Sequence, residues 1–337
     1  MTTTLEMLAP HRIPSESSVG EWVSAHVHEG LPRPQPADDG PITNSTMACE
    51  MDRTLAAMPR LKVSDFAIGG QQDDMAHDAY FHIRRVENNA PAVFVRMVFA
   101  ARLIFLLEVA QAPVSISDSS LQLADRALAD LISCLFGGTV DGGRHVSVWE
   151  SQQASCDAMA RWVRGHQLFA TLTQGLIFSF QCLAWAVRAG RSLEVQKWSD
   201  LSISLLRGSS AAFELTGDFS AGDYTSLVRP SMSPPASPVC LSGLMSADHR
   251  FLVQTIRKLQ PVLRALSEQE PQRYARIIAA VNTVYDNHIH VCERFVGSKP
   301  SLLTEGRTEK SGPELLEQFK TSRLKPFEHA PRSPRGS

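Results

Sequence analysis

The sequence predicts an all-α protein with one large helical domain. Apolar residues recur at three- and four-residue spacing over most of the chain, and almost no stretch alternates as a strand would. At 337 residues and 43% hydrophobic content, the chain can bury a sizeable core. We expect three regions: a mobile amino-terminal arm over residues 1–46, a helical domain over residues 47–296, and a peripheral, partly disordered tail over residues 297–337.

The first strong helical pattern covers Ala92–Ala110. It is also the best membrane candidate, but Arg96, Arg102 and Glu108 fall within it, and three charges at that depth would be costly in lipid. We therefore interpret it as a central core helix that ends before Pro113, and we expect no membrane partner.

Further helical patterns follow along the chain. The amphipathic stretch Leu121–Phe136 stops at a glycine pair, Val146–Ala189 is long enough for two helices or one bent helix, and Leu193–Thr216 forms another. The amino terminus has no periodicity and lacks the basic and apolar regions of a signal peptide. The tail after Gly297 contains one weak amphipathic piece, Pro313–Phe319.

Charge and cysteine usage predict a cytoplasmic protein without a nucleic-acid partner. The 33 basic and 35 acidic residues give a net charge of −2, so the protein lacks the excess positive charge that attracts nucleic acid. The six cysteines are scattered without a Cys-x-x-Cys pair, which argues against a disulfide framework or a zinc ribbon. The sequence also lacks the motifs of helical diiron proteins, zinc proteases, serine hydrolases and nucleotide-binding loops.

The most informative motif is His-Ile-His-Val-Cys at residues 288–292. Continuing the apolar stripe of residues 277–285 places His288, Cys292 and Phe295 on one helix face. His290 lies about 200° around the helix and should face away. A histidine can donate a lone pair to a metal, and a cysteine one turn further on can reach the edge of a planar cofactor. Iron porphyrin is the cofactor that fits both demands.

The spacing alone does not separate a cofactor site from a protein core. About 0.2 His-x-x-x-Cys pairs are expected by chance in a chain with six cysteines and eleven histidines. Buried cysteines and histidines are also common in cores.

A second histidine adds to the pattern. His249 follows the Pro-rich loop of residues 230–238 and precedes an apolar stripe over residues 251–266. It should therefore lie in the first turn of a helix, with Ser246 or Asp248 as the cap. Residues at such loop-to-helix junctions commonly project into a site.

A histidine, a long interval and then His-x-x-x-Cys resembles the heme-binding pattern of the histidine-ligated heme-dependent tyrosine hydroxylases, most closely those acting on 3-methyl-L-tyrosine in saframycin-type antibiotic pathways. By motif, the resemblance is confined to Leu201–Phe295. It implies a fold related to tryptophan 2,3-dioxygenase, enclosing a heme held by a single thioether. It further implies that His288 is the proximal iron ligand and Cys292 the thioether residue. His249 would lie across the heme, able to ligate iron or to assist oxygen activation as a catalytic residue.

The resemblance also implies a reaction. The phenol ring of L-tyrosine or 3-methyl-L-tyrosine would be hydroxylated ortho to its hydroxyl to give a catechol, with hydrogen peroxide or dioxygen as the oxidant, in tetrahydroisoquinoline-type antibiotic biosynthesis. A homodimer is left open.

An amino-acid substrate requires a cation for its carboxylate and acceptors for its ammonium group. In the polar segment before the Pro-rich loop, Arg229 or Arg207 would serve the first need, and Asp218, Asp223 or Glu214 the second. Solvated loop residues and helix caps remain the alternative for each of them.

Two other classes of protein stay open. One is a non-catalytic heme protein for sensing or electron transfer, in which His249 and His288 both ligate the iron. The other is a helical scaffold without heme, in which His288 and Cys292 are core residues or a fortuitous zinc pair.

Overall fold

The computed structural model describes residues 3–24, 41–62, 72–88, 90–151, 155–242, 246–298, 302 and 310–327. Over these residues the protein is a bundle of α-helices, as predicted, and it also contains one small two-stranded sheet. The longer helices are α1 (Glu16–Ser24), α2 (Asn44–Ala57), α3 (Gln72–Tyr80), α4 (Ala90–Gln111), α5 (Asp118–Leu135), α6 (Ala158–Arg188), α7 (Ser192–Thr216), α10 (Ala247–Lys258), α11 (Gln260–Gln269), α12 (Pro271–Phe295) and α13 (Gly312–Leu324). Single turns α8 (Ala221–Asp223) and α9 (Arg229–Ser231) flank a π-helical turn, Tyr224–Val228.

The centre of the bundle is α6, which packs against α7, α4, α10 and α1. Asp157 caps it, because its Oδ1 accepts the Ala160 N–H at 3.0 Å. The pattern over Val146–Ala189 therefore resolves into one helix that starts at Ala158. Among the described helices, α6 alone is long and apolar enough to cross a membrane, but 83% of its most apolar window is buried inside the protein.

The predicted core helix Ala92–Ala110 is confirmed as α4. Two of its charges are neutralised inside the protein. Arg102 forms an ion pair with Asp125 at 2.8 Å, and Glu108 accepts from Arg161, also at 2.8 Å. These two of the three charges that argue against a membrane span thus have buried partners on neighbouring helices.

The expectation of a mobile arm over residues 1–46 is wrong for the residues nearest the start. Leu5–Leu8 form strand β1, which pairs in parallel with strand β2, Ile83–Val86. Leu5, Met7 and Leu8 are fully buried. Residues 25–40 of the expected arm lie outside the described residues.

The expectation of a peripheral tail is also wrong for its amphipathic piece. Ser311 caps α13 through a reciprocal pair of hydrogen bonds with Glu314, and α13 packs along α12. Leu315 and Leu316 are buried in that contact. Residues 299–301, 303–309 and 328–337 of the expected tail lie outside the described residues.

Candidate functional site

A cavity of about 110 Å³, partly open to solvent, lies between α6, α7, α12 and α13. Its apolar wall includes Trp162, Phe169, Phe213, Phe295, Leu316 and Phe319. Its polar groups include His166, Tyr224, Arg229, Ser242, His288 and Cys292. A concave, mainly aromatic cavity with a few convergent polar groups is typical of a cofactor or small-molecule site.

His288 and Cys292 both line this cavity from α12, whereas His290 is exposed to solvent. The predicted helical phase is therefore confirmed. The His288 ring stacks on Phe213 of α7, with 4.3 Å between the ring centroids and 17° between the planes. This contact fixes the imidazole against the cavity wall.

The protonation states of both groups follow from their burial. Burial, with smaller contributions from the charges of His249 and His166, lowers the pKa of His288 to about 3. Burial raises the pKa of the Cys292 thiol to about 12. At neutral pH the imidazole is thus uncharged, with a lone pair available for a metal, and the cysteine is a thiol.

His249 lies in the first turn of α10, as predicted, and Ser246 is the cap, accepting the His249 backbone N–H at 3.1 Å. The side chain is buried, and neither ring nitrogen has a hydrogen-bond partner among the described residues. Burial lowers its pKa to about 4, helped by the charges of Arg323 and Arg250. His249 is not part of the cavity wall.

Arg229 is the predicted substrate-binding residue that reaches the cavity. It lies beside Tyr224, whose pKa is raised by burial and held back by the charge and hydrogen bond of Arg229. Tyr224 in turn stacks on Phe295, with 4.6 Å between the ring centroids. This arrangement places one cation within a mainly aromatic wall.

The other predicted substrate residues have different partners. Arg207 is exposed on α7, and Asp218 is buried in an ion pair with Arg161 at 3.1 Å. Glu214 accepts hydrogen bonds from Ser120 and Asn287. Asp223 accepts a hydrogen bond from Ser220, the residue that caps α8. None of these four residues lines the cavity.

Sequence reasoning missed His166. It lines the cavity from α6, and its Nδ1 donates to the Trp162 carbonyl at 2.8 Å. Its ring stacks on Phe81 with 4.2 Å between the centroids, and burial lowers its pKa to about 3. The only available signal was a histidine four residues after a tryptophan in an apolar helix, which by itself resembles ordinary core.

Protein prepared without cofactor should lose stability in mild acid. The pKa values of His166, His249 and His288 are about 3, about 4 and about 3 when folded, against about 6.5 for an unperturbed histidine. Each imidazole is neutral in the folded protein and takes up a proton on unfolding. The stabilisation is therefore complete above about pH 6.5 and is lost as the pH falls towards about 4.

Urea unfolding at several pH values between these limits measures the effect. We expect the free energy of unfolding to fall by at most about 1.4 kcal/mol per pH unit for each of the three histidines. A free energy of unfolding that stays constant over this range would contradict the neutral state of the three imidazoles.

Comparison with known proteins gives three matches. The family model described as SfmD 3-methyl-L-tyrosine peroxygenase matches residues 6–275. A 3-methyl-L-tyrosine peroxygenase from Streptomyces lavendulae is 33% identical over 181 residues, which cover 53% of this chain and 50% of that protein. The chain thus matches about half the length of this curated relative. A crystal structure of reduced SfmD, soaked with sodium hydrosulfite, superposes with a TM-score of 0.70 at 26% identity, covering 86% of this chain and 98% of the other.

The family match includes His249 and ends before His288 and Cys292. The two residues on α12 are therefore assigned from their motif and their position on the cavity, independently of that match.

Proposed function

Because the chain belongs to the SfmD 3-methyl-L-tyrosine peroxygenase family, we propose that it is a heme enzyme that hydroxylates the phenol ring of L-tyrosine or 3-methyl-L-tyrosine ortho to its hydroxyl. With hydrogen peroxide, the phenol and peroxide give a catechol and water. The observation that carries the proposal is the joint placement of His288 and Cys292, one helical turn apart, on a single aromatic cavity. A cytoplasmic role in tetrahydroisoquinoline-type antibiotic biosynthesis is part of the same proposal.

The residues present fit a heme. The cavity wall is largely aromatic and aliphatic, as a porphyrin requires, and His288 offers a neutral imidazole to the iron. The Cys292 thiol lines the same cavity and would form the single thioether. Neither ring nitrogen of His249 has a hydrogen-bond partner in the described part of the chain, which is costly for a buried group. Ligation or a hydrogen bond to a bound oxidant would satisfy one of them.

Bound heme would supply the activation of hydrogen peroxide or dioxygen. The protein residues then hold and orient the reactants. Arg229 would pair with the substrate carboxylate, and the aromatic wall around Phe295 would pack on the phenol ring. Leu315 and Leu316 of α13 would exclude water from the cavity. A neutral His249 would accept a proton from the oxidant and return it to the departing oxygen.

The first test is turnover by heme-loaded protein with L-tyrosine or 3-methyl-L-tyrosine, supplied either with hydrogen peroxide or with dioxygen and a reductant. Catechol formation is followed by chromatography and mass spectrometry. A visible heme spectrum with no catechol from either amino acid would contradict the oxygenase assignment. Folded protein that binds no heme would favour the alternative of a helical scaffold without heme.

Arg229→Gln should raise KM for the amino acid by about tenfold to a hundredfold, the loss expected for one charge-assisted contact to a carboxylate. The matched control is Arg207→Gln, because Arg207 is an exposed arginine that does not line the cavity. Its KM should equal that of the unaltered protein. An unchanged KM in Arg229→Gln would remove Arg229 from the substrate site.

A heme protein for sensing or electron transfer is the second candidate. The observation that favours it is the presence of two neutral imidazoles, His249 and His288, since stable ligation by both would block access to the iron. Addition of substrate discriminates the two functions. An oxygenase should show a spectral change as one histidine leaves the iron, whereas an electron-transfer protein should show none.

A further inference from the structure

We propose that the unit formed by α3 and β2, residues 72–86, positions His249 by holding the residue on either side of it, with Arg85 as the principal positioning residue. The inference rests on the proposed role of His249 at the heme. Neither the family match nor the motif assigns a function to Arg85.

The residue before His249 is held by a buried ion pair. Arg85 Nη2 lies 2.8 Å from Asp248 Oδ2, and Arg85 Nη1 donates to Asp248 Oδ1 at 3.0 Å. Asp248 is fully buried, whereas Arg85 is 11% exposed at its side chain. The paired, two-oxygen contact fixes both the distance and the direction of the Asp248 side chain.

The guanidinium is itself held in place. Arg85 Nε and Nη2 donate to the two carboxylate oxygens of Asp78 at 2.7 and 2.8 Å. Gln174 of α6 donates from Nε2 to Asp248 Oδ1 at 2.7 Å and to the Leu8 carbonyl of β1 at 2.8 Å. Arg85 Nη1 also lies 3.1 Å from the Leu8 carbonyl. The network thus joins β1, α3, β2 and α6 to the start of α10.

The residue after His249 is held by the same unit. Arg250 Nη2 forms an ion pair with Asp74 of α3 at 2.5 Å. His249 therefore lies between two residues whose partners, Arg85 and Asp74, belong to one short segment of chain.

His249 depends on this external support because its own ring makes no hydrogen bond among the described residues. Besides the helical hydrogen bonds of α10, the Ser246 cap and the two flanking ion pairs restrain the backbone around His249. A histidine that must meet a reactant needs this kind of restraint, since a displacement of ~1 Å costs about a hundredfold in rate.

The test compares Arg85→Lys with Arg102→Lys. Arg102 forms a similar buried pair with Asp125, with hydrogen bonds of 2.8 and 3.1 Å, and neither residue lines the cavity. Lysine keeps the charge but loses the two-pronged geometry in both variants. A general loss of stability would therefore appear equally in the two.

The first readout uses protein prepared without heme and labelled in its histidine rings. The His249 resonance is identified by its disappearance in His249→Ala. We expect this resonance to shift or broaden in Arg85→Lys and to stay in place in Arg102→Lys. An unmoved His249 resonance in Arg85→Lys would overturn the inference. This readout is independent of heme, so it separates failure of the inference from failure of the proposed function.

The second readout uses heme-loaded protein. We expect the visible and electron paramagnetic resonance spectra of Arg85→Lys to move towards those of His249→Ala, with turnover about a hundredfold lower. Arg102→Lys should keep the spectra and turnover of the unaltered protein. If Arg85→Lys does not fold, Asp248→Asn replaces it, because the amide keeps the size and one acceptor oxygen. Equal spectra in the Arg85→Lys or Asp248→Asn protein and in Arg102→Lys would contradict the positioning role.

Discussion

His288→Ala should abolish the histidine-ligated heme spectrum and lower turnover by on the order of a thousandfold or more. His288 is a neutral imidazole on the cavity wall, one turn before Cys292 on the same helix. Alanine removes the iron ligand and leaves the opposing ring, Phe213, without its stacking partner at 4.3 Å. The lost stacking should also reduce the free energy of unfolding by about 1 kcal/mol.

The matched control is His290→Ala on the same helix. His290 is exposed, so its removal should leave the heme spectrum, turnover and stability unchanged. Added imidazole provides a second control, because it can enter the space left by His288→Ala and restore part of the ligated spectrum. Loss of heme ligation in His290→Ala but not in His288→Ala would show that the helical phase is misread.

The helices of this protein could be predicted because their periodicity is local. The Ala92–Ala110 pattern corresponds closely to α4, Ala90–Gln111, since apolar residues there repeat at helical spacing up to the break before Pro113. The placement of His288 and Cys292 on one face followed from the same local geometry. So did the position of His249, because the Ser246 cap is part of the adjacent sequence.

The terminal segments could not be predicted because their structure depends on distant partners. Leu5–Leu8 is too short to show strand alternation, and its partner strand begins at Ile83. The periodicity of α13 is weak by itself, and only its packing on α12 shows that it forms part of the cavity wall. Such long-range contacts cannot be deduced from the local composition of the sequence.

The polar residues of the site were the hardest to assign. Asp218 and Arg229 are similar in the sequence, since each is a charged residue in a polar stretch. Asp218 forms an ion pair with Arg161, far upstream on α6, whereas Arg229 lines the cavity. Which charge is neutralised inside the protein depends on helix packing, and spacing along the chain does not reveal it.

Cys292→Ala should still bind heme but release it completely on denaturation. The Cys292 thiol lines the cavity one turn after His288, and burial raises its pKa to about 12. It is therefore a thiol, and it would supply both the sulfur and the proton for a thioether to a vinyl group of the heme. No atom is lost in this addition. Intact mass under denaturing conditions should show the mass of heme on the unaltered polypeptide and only the bare polypeptide in the variant.

Cys156→Ala is the matched control, because Cys156 is a half-buried cysteine near the same region but not part of the cavity wall. It should retain heme after denaturation in the same amount as the unaltered protein. If heme stays attached in Cys292→Ala and is lost from Cys156→Ala, the thioether residue has been misassigned. If the unaltered protein binds heme but releases all of it on denaturation, then His288 and the cavity wall hold the cofactor without a covalent bond. That result would contradict the thioether role of Cys292.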